Sequence, residues 1–320
     1  MLLALVLAIV CPSLPYASAQ ARTAETAARS APPRAVLVTG ASSGIGRRTT
    51  ELLAAEGFYV YATARSDADL AELDALENVQ AVRIDVTKPD EIEAAVRTVT
   101  DAGRGLYALI NNAGVVVLGP LIELREEDLA FQLDVNVMGP YRVTRAFAPL
   151  LIESKGRVLT TGSISGTVTW PMGGAYTISK HAVEAFSDTL AAELAPFGVA
   201  VSLVSPGNYR SEIMTNMRQR MLDAGYSGEG SRYAEHMDRL LGGPADRAQY
   251  KQPDEVAETF LRALQDETPR RRYMVVPDRR EADLTLRAAV TRVVELNAEQ
   301  PYALDRKALI RLLDEALAGN

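Results

Sequence analysis

From residue 35 onward, short apolar runs alternate with longer stretches in which apolar residues recur every three or four positions. The runs at 35–39, 58–62, 79–86, 106–111, 157–161, 199–204 and 272–276 read as strands. Several, such as AVLVT and VAVSLV, are nearly unbroken, as expected of strands covered on both faces. Helical periodicity is clearest at 44–56, 89–102, 126–153, 176–195 and 254–265. Asp90 and Asp254 each follow a proline, a first-turn signature. In the fourth of these helices Val183, Phe186, Leu190 and Leu194 share one face, and Pro196 and Gly198 end it. Helices of this length between strands suit right-handed crossovers, so the pattern predicts an α/β fold with a doubly wound parallel sheet.

Three segments stand outside that rhythm. Residues 211–250 are rich in Met, Arg, Tyr and Gly and separate the sixth strand from the next helix. Residues 279–320 are charged and helical in pattern. Leu286, Val290, Val293 and Val294, and then Leu309, Leu312, Leu313 and Leu317, form two apolar stripes suited to docking on the core or on a partner subunit. Residues 1–33 open with an apolar run, Leu2 to Val10, too short to span a bilayer as a helix. Ala17-Ser18-Ala19 follows as a small-x-small cleavage pattern, and 20–33 reads as a linker. The expectation is export or membrane anchoring, with membrane contact through residues 1–20 only. The alternative is a cytoplasmic protein with a misassigned start, since no Lys or Arg precedes the run.

Composition narrows the function classes. A chain of 320 residues, 48% hydrophobic and 23% charged, can bury a sizeable core as a soluble globular protein. The net charge of −7 and the lack of a basic block argue against nucleic-acid binding. Cys11 is the single cysteine, so a disulfide, a thiolate metal site or a cysteine nucleophile is not expected. His181 and His236 are the only histidines; they have no metal-ligand spacing, and no Gly-x-Ser-x-Gly elbow exists. His181 reads as helix surface or packing.

The candidate chemistry begins at AVLVTGASSGIG, where a buried strand runs into a helix through Gly40, Gly44 and Gly46. Without Cβ atoms the backbone bends sharply and lets a pyrophosphate approach the unpaired N–H groups of a helix N-terminus. The stretch is therefore a dinucleotide cradle. At the end of the second strand, Ala64 stands where a carboxylate would favour NAD, and Arg65 follows. A guanidinium suits a 2′-phosphate, so NADP is expected, with Arg47 as a second contributor. Asp67 keeps NAD open. Further along, Tyr176 and Lys180 lie one turn apart on a helix, where an ammonium would lower the pKa of a neighbouring phenol.

TGASSGIG, NNAG (111–114), Ser163, YTISK and SPG (205–207) resemble, in order and spacing, the short-chain dehydrogenase/reductase family, over roughly residues 34–277. The resemblance implies a single domain at 34–278 with a Rossmann-like seven-stranded sheet and a helical substrate lid at about 211–250; the charged pattern beyond it reads as a C-terminal helical extension at 279–320. It also implies NAD(P) as hydride carrier and carbonyl/alcohol interconversion. Carried over by position, Tyr176 exchanges the proton with the carbonyl oxygen. Lys180 tunes it and binds the nicotinamide ribose. Ser163 hydrogen-bonds the substrate oxygen, and the main-chain carbonyl of Asn136 holds a water linked to the lysine. Gly40, Ser43, Gly44, Ile45, Gly46, Asp85, Val86, Asn112, Ala113, Gly114, Pro206 and Gly207 line the dinucleotide, with Arg65 at its ribose and Ser211 near the carboxamide.

Pro140 stands four residues after Asn136, so it has no N–H for that carbonyl and predicts a kink in the 126–153 helix. Met214, Met217, Met221, Tyr226, Tyr233 and Met237, with Trp170 and Met172, suggest an apolar ketone, aldehyde or secondary alcohol as substrate. Family habit suggests a homodimer or homotetramer. The competing reading is an NADP(H)-binding sensor or scaffold without turnover.

Overall fold

Alternation along each strand decides how the sheet is covered. In a computed structural model that describes residues 33–243 and 247–318, β1 (Ala35–Val38) sends Val36 and Val38 into one core and Ala35 and Leu37 into another. Successive strand residues face opposite ways, so a strand apolar at every position needs helices on both sides. The first core takes Leu53 from α1 (Gly44–Ala55) and Leu73 from α2 (Asp67–Asp74). The second takes Val99 from α3 (Pro89–Asp101).

The sheet has seven strands in the order β3-β2-β1-β4-β5-β6-β7, and each neighbouring pair is parallel. The remaining strands are β2 (Tyr59–Ala64), β3 (Val79–Arg83), β4 (Ala108–Asn111), β5 (Arg157–Thr161), β6 (Ala200–Pro206) and β7 (Arg272–Val275). The chain order reverses between β1 and β4, and in open α/β sheets ligands bind at such a switch point beyond the carboxyl ends of the strands. β3 stops at Arg83, short of the predicted 86. There the Asp85 N–H is taken by Glu91 (2.6 Å) and the Asp85 carboxylate caps Thr87, so the chain turns out of the ladder.

The long helix expected over 126–153 is three pieces. These are α4 (Glu126–Leu133), a π-turn at Asp134–Met138, and α5 (Gly139–Glu153). Pro140 has no N–H to offer Asn136, and the chain resolves this by widening the helix: Gly139 N–H reaches back five residues to the Asp134 carbonyl. Beyond it come α6 (Gly174–Leu194), α7 (Ile213–Asp223), α8 (Ala234–Gly242), α9 (Asp254–Gln265), α10 (Arg279–Asn297) and α11 (Arg306–Ala318). Val143, Phe147 and Leu151 of α5 join the second core, and Val256 and Phe260 of α9 the first.

Between β6 and α9 the described residues form two helices, α7 and α8, joined by turns. α7 and α8 bring Met217, Met221 and Met237 against Val116 and Leu118 in a third, smaller core. The almost buried Asp128 of α4 holds this region down. It accepts from Tyr226 (2.6 Å) and pairs with Arg125 and Arg220 (2.7 Å each). By contrast, the apolar stripes of α10 and α11 do not dock on the core; Leu286, Val290, Leu312 and Leu313 are exposed. The signal-like segment of residues 1–33 lies almost wholly outside the described residues. Among the described residues, no helix is long and apolar enough to cross a membrane.

Candidate active site

The turn after β1 is built by exclusion. Gly40 has φ +65°, and a Cβ there would come to 2.8 Å of the Ala113 Cα. Gly46 packs so closely that a Cβ would overlap the Gly40 carbonyl oxygen and come within 2.5 Å of the Asn112 side-chain nitrogen. Ser43 is the N-cap of α1, yet its side chain makes no cap hydrogen bond. The first-turn N–H groups therefore keep their donors for an incoming anion. Ile45 packs on the first core, and Gly44 faces Ser211. These residues fit a dinucleotide pyrophosphate: the backbone is bare where a phosphate must approach, and the helix start carries no competing cap.

Asn112 ties the cradle together. Its side-chain N–H₂ donates to the carbonyls of Thr39 and Gly40, both at 3.1 Å, and its oxygen accepts from Thr161 at 3.2 Å. Ala113 N–H donates to the Thr39 hydroxyl (3.0 Å), and Gly114 lies against the Asn136 side chain. Asp85 and Val86 follow β3. Burial pushes the Asp85 carboxyl up, but hydrogen bonds from Thr87 and the nearby charges of Arg65 and Lys88 outweigh it and hold the pKa below its ordinary value. Asp67 pairs with Arg83, whose guanidinium also reaches the Arg65 carbonyl. Arg47 is turned toward Glu51 (2.6 Å).

The reactive side of the site lies beyond β5 and β6. Ser163 starts a short 3₁₀ turn, and its Oγ accepts from Ser165 N–H at 3.1 Å. That bond uses a lone pair and leaves the hydroxyl proton to be donated toward the Tyr176 oxygen. Tyr176, in the first turn of α6, is half-buried beside Met172 and the third core, with the Trp170 ring 6.1 Å away. Burial raises the phenol pKa, while a hydrogen bond with Ser163 and the charge of Arg247 pull the other way. Lys180 is buried one turn on. Its Nζ donates to the Thr161 carbonyl at 2.7 Å and stands 5.7 Å from the centre of the Tyr176 ring. Burial lowers its pKa to about 8, with Glu184 partly opposing. Asn136 lies in the π-turn, its side chain spent on Val115 (2.8 and 3.0 Å) and Ser179 (3.1 Å). His181 is engaged at both ring nitrogens, with Thr177 and Arg292.

The description "short chain dehydrogenase" matches residues 34–222, more than half of the chain and all of this site up to α7. It belongs to the short-chain dehydrogenase family. Among relatives, it is 38% identical over 198 residues to the mitochondrial D-beta-hydroxybutyrate dehydrogenase of Rattus norvegicus, covering 59% of this chain and 58% of that one. It is 38% identical over 189 residues to Retinol dehydrogenase 7 of the same organism, covering 58% of this chain and 59% of that protein. The chain thus matches less than two thirds of the length of these relatives. A short chain dehydrogenase/reductase from Burkholderia phymatum in complex with NAD superposes with a TM-score of 0.72 at 27% identity, over 86% of this chain and 99% of that chain.

Around this short-chain dehydrogenase site stand residues that sequence reasoning passed over. Asn208 directly follows Pro206 and Gly207. Its N–H and side-chain amide both donate to Glu281 of α10 (2.9 and 2.7 Å), and its side-chain oxygen accepts from Arg247 at 2.7 Å. Gly207 is glycine for a steric reason, because a Cβ would overlap the Glu281 carboxylate. Gln132, fully buried, holds the strand-like segment at Val115 and Val117 (2.9 and 2.6 Å). The adjacency of Asn208 to SPG was a usable signal. Nothing in the spacing of Arg247 or Glu281 pointed to this loop.

Proposed function

We propose that this chain is an NADP(H)-dependent oxidoreductase that interconverts a fairly apolar ketone or aldehyde and the corresponding alcohol. The observation that carries the reading is the convergence of Ser163, Tyr176 and a buried Lys180 beside a glycine cradle at the helix start. Gly40, Ser43, Gly44, Ile45, Gly46, Asp85, Val86, Asn112, Ala113, Gly114, Pro206 and Gly207 would hold the dinucleotide, which when bound supplies or accepts the hydride. Ser163 would turn its hydroxyl proton from Tyr176 to the substrate oxygen as charge develops there. Tyr176, kept protonated by burial, gives its proton to that oxygen during reduction. Lys180 brings a positive charge next to the phenol and favours its release of the proton. The Asn136 main chain, beside Pro140, serves as the anchor for a water leading to the lysine.

NADP rather than NAD is supported by Ala64 at the end of β2 and by the Asp67–Arg83 pair, which leaves no free carboxylate there to repel a 2′-phosphate. The apolar substrate is supported by the methionines beside Tyr176 and by the resemblance to a retinol dehydrogenase. A homodimer or homotetramer is supported by the uncovered stripes of α10 and α11. The test is a panel of carbonyl compounds with NADPH and NADH. Wild type is expected to turn over at least one, at least tenfold better with NADPH, and Arg65→Asp to invert that preference. Tyr176→Phe should lose at least a hundredfold in rate while keeping cofactor affinity. Cofactor binding with no turnover across the panel would favour a sensor and overturn the reading.

A further inference from the structure

Among the described residues, Arg247 makes no direct contact with a carboxylate; the charge of Glu281 reaches it only through Asn208. Its Nε donates to the Tyr209 carbonyl at 2.9 Å and one Nη to the Asn208 side-chain oxygen at 2.7 Å, and its plane lies 4.3 Å from the Tyr250 ring centre. All these partners are neutral. Among the described residues it forms no ion pair. Glu281, the carboxylate nearest in the network, is spent on the two N–H donors of Asn208, on the far side of that amide. A guanidinium has five N–H donors, and two are accounted for here, so its fork remains open. It is half-buried and desolvated, which by itself disfavours the charge.

Its location gives that charge a use. Asn208 and Tyr209 come one residue after β6, whose Val204 carbonyl accepts from Gly162 N–H at 2.7 Å, one residue before Ser163. The charge of Arg247 is felt at the Tyr176 phenol. The Met172, Met217, Met221 and Met237 cluster packs against the same tyrosine. A molecule with its oxygen at Ser163 and Tyr176 would thus meet an apolar wall and one fixed cation. A wholly apolar ketone leaves the desolvated guanidinium uncompensated, whereas a carboxylate accepts its planar fork in a bidentate, charge-assisted pair.

We propose that Arg247 binds a substrate carboxylate, so that the preferred substrate is an oxo acid or hydroxy acid with an apolar body. This rests on the oxidoreductase reading above and narrows it. The other anion that could reach the fork is a phosphate of the dinucleotide, and the experiment separates the two.

The full chain is assayed with saturating cofactor on a ladder of oxo acids, the carbonyl three to six carbons from the carboxylate, each beside its methyl ester. The expected result is a kcat/KM at least tenfold higher for the best acid than for its ester. Arg247→Gln should erase that advantage through KM, costing the acid at least tenfold more than the ester, and leave the cofactor KM unchanged, and Arg247→Lys should restore part of it. Equal rates on acid and ester in wild type overturn the assignment, as does an equal loss on both in Arg247→Gln. A raised cofactor KM with unchanged acid preference gives the arginine to a dinucleotide phosphate instead. A binding arm needs no turnover. Calorimetry with hexanoate and hexanamide on the cofactor-loaded chain should show hexanoate binding at least tenfold tighter, and only in wild type. If no carbonyl compound is reduced but this difference persists, the oxidoreductase reading fails and the carboxylate site stands. If neither ligand is preferred, the site fails whatever the enzyme reduces.

Discussion

Replacing Lys180 by methionine separates the energetic cost of the buried ammonium from its use. The side chain is 7% exposed and donates to the Thr161 carbonyl at 2.7 Å. Burial takes its pKa from 10.5 to about 8. At about 1.4 kcal/mol per tenfold change in proton affinity, keeping that lysine charged costs the fold ~3 kcal/mol. The folded pKa is depressed, so between pH about 8 and 10.5 the native chain holds fewer protons than the unfolded one. Native stability therefore rises with pH across that window, and below it the full cost is carried. Methionine removes the proton equilibrium and nearly preserves the shape, and it forfeits one charge-assisted hydrogen bond of ~1.5–3 kcal/mol.

The expected outcome is that the stability of wild type minus that of Lys180→Met climbs by up to ~3 kcal/mol from pH 7 to pH 10.5. Urea unfolding of both proteins at several pH values and constant ionic strength measures it. Reduction gives the complementary result. Wild-type kcat/KM should fall as pH rises through about 8, where the free enzyme loses the ammonium, while Lys180→Met should be slower by at least a hundredfold and lack that limb. A stability difference that is flat with pH would refute the burial argument. A variant that reduces its substrate as fast as wild type at every pH would refute the role of the charge.

Two further outcomes test the cradle and the exposed helices. Gly46→Ala must push a Cβ into the Gly40 carbonyl, so it should destabilise by at least ~2 kcal/mol and weaken dinucleotide binding at least tenfold, read by thermal melting and NADPH fluorescence. The full chain should run as a dimer or tetramer in light scattering, and Leu286→Glu with Val290→Glu should dissociate it and leave Ser163, Tyr176 and Lys180 in place; a monomeric wild type would refute the second-copy reading of α10.

What could be read from the chain follows from how local each cause is. Gly40, Gly44 and Gly46 announce the cradle because only a missing Cβ satisfies a steric demand set within seven residues. The unbroken apolar strands announce a sheet covered on both faces for the same reason. α2 escaped notice because Leu70 and Leu73 are its only large apolar residues, so it shows no period; its start is fixed by Ser66 accepting from Asp69 N–H at 3.1 Å. Pro140 signalled a break but not its form, since a kink and a π-turn both release the same carbonyl. Arg247 meets Asn208 across 39 positions and Glu281 meets it across 73. Such pairings depend on where a helix and two loops land after folding, which no local pattern encodes.

The parallel sheet explains why chemistry from such distant segments converges. All seven strands run the same way, so the turns after β1, β4, β5 and β6 open on one edge. Gly40, Asn112, Ser163 and Gly207 are thus neighbours by direction rather than by sequence. Thr161 joins the two halves of the site at that edge. Its hydroxyl donates to Asn112, which grips the Gly40 turn, and its carbonyl accepts from Lys180, which sits beside the phenol. A one-residue slip of β5 against β4 would turn Thr161 to the other face and break both bonds at once. The register Asn111↔Thr160 therefore sets the distance between the glycine turn and the phenol, and the turn and the ammonium stand or fall as one unit.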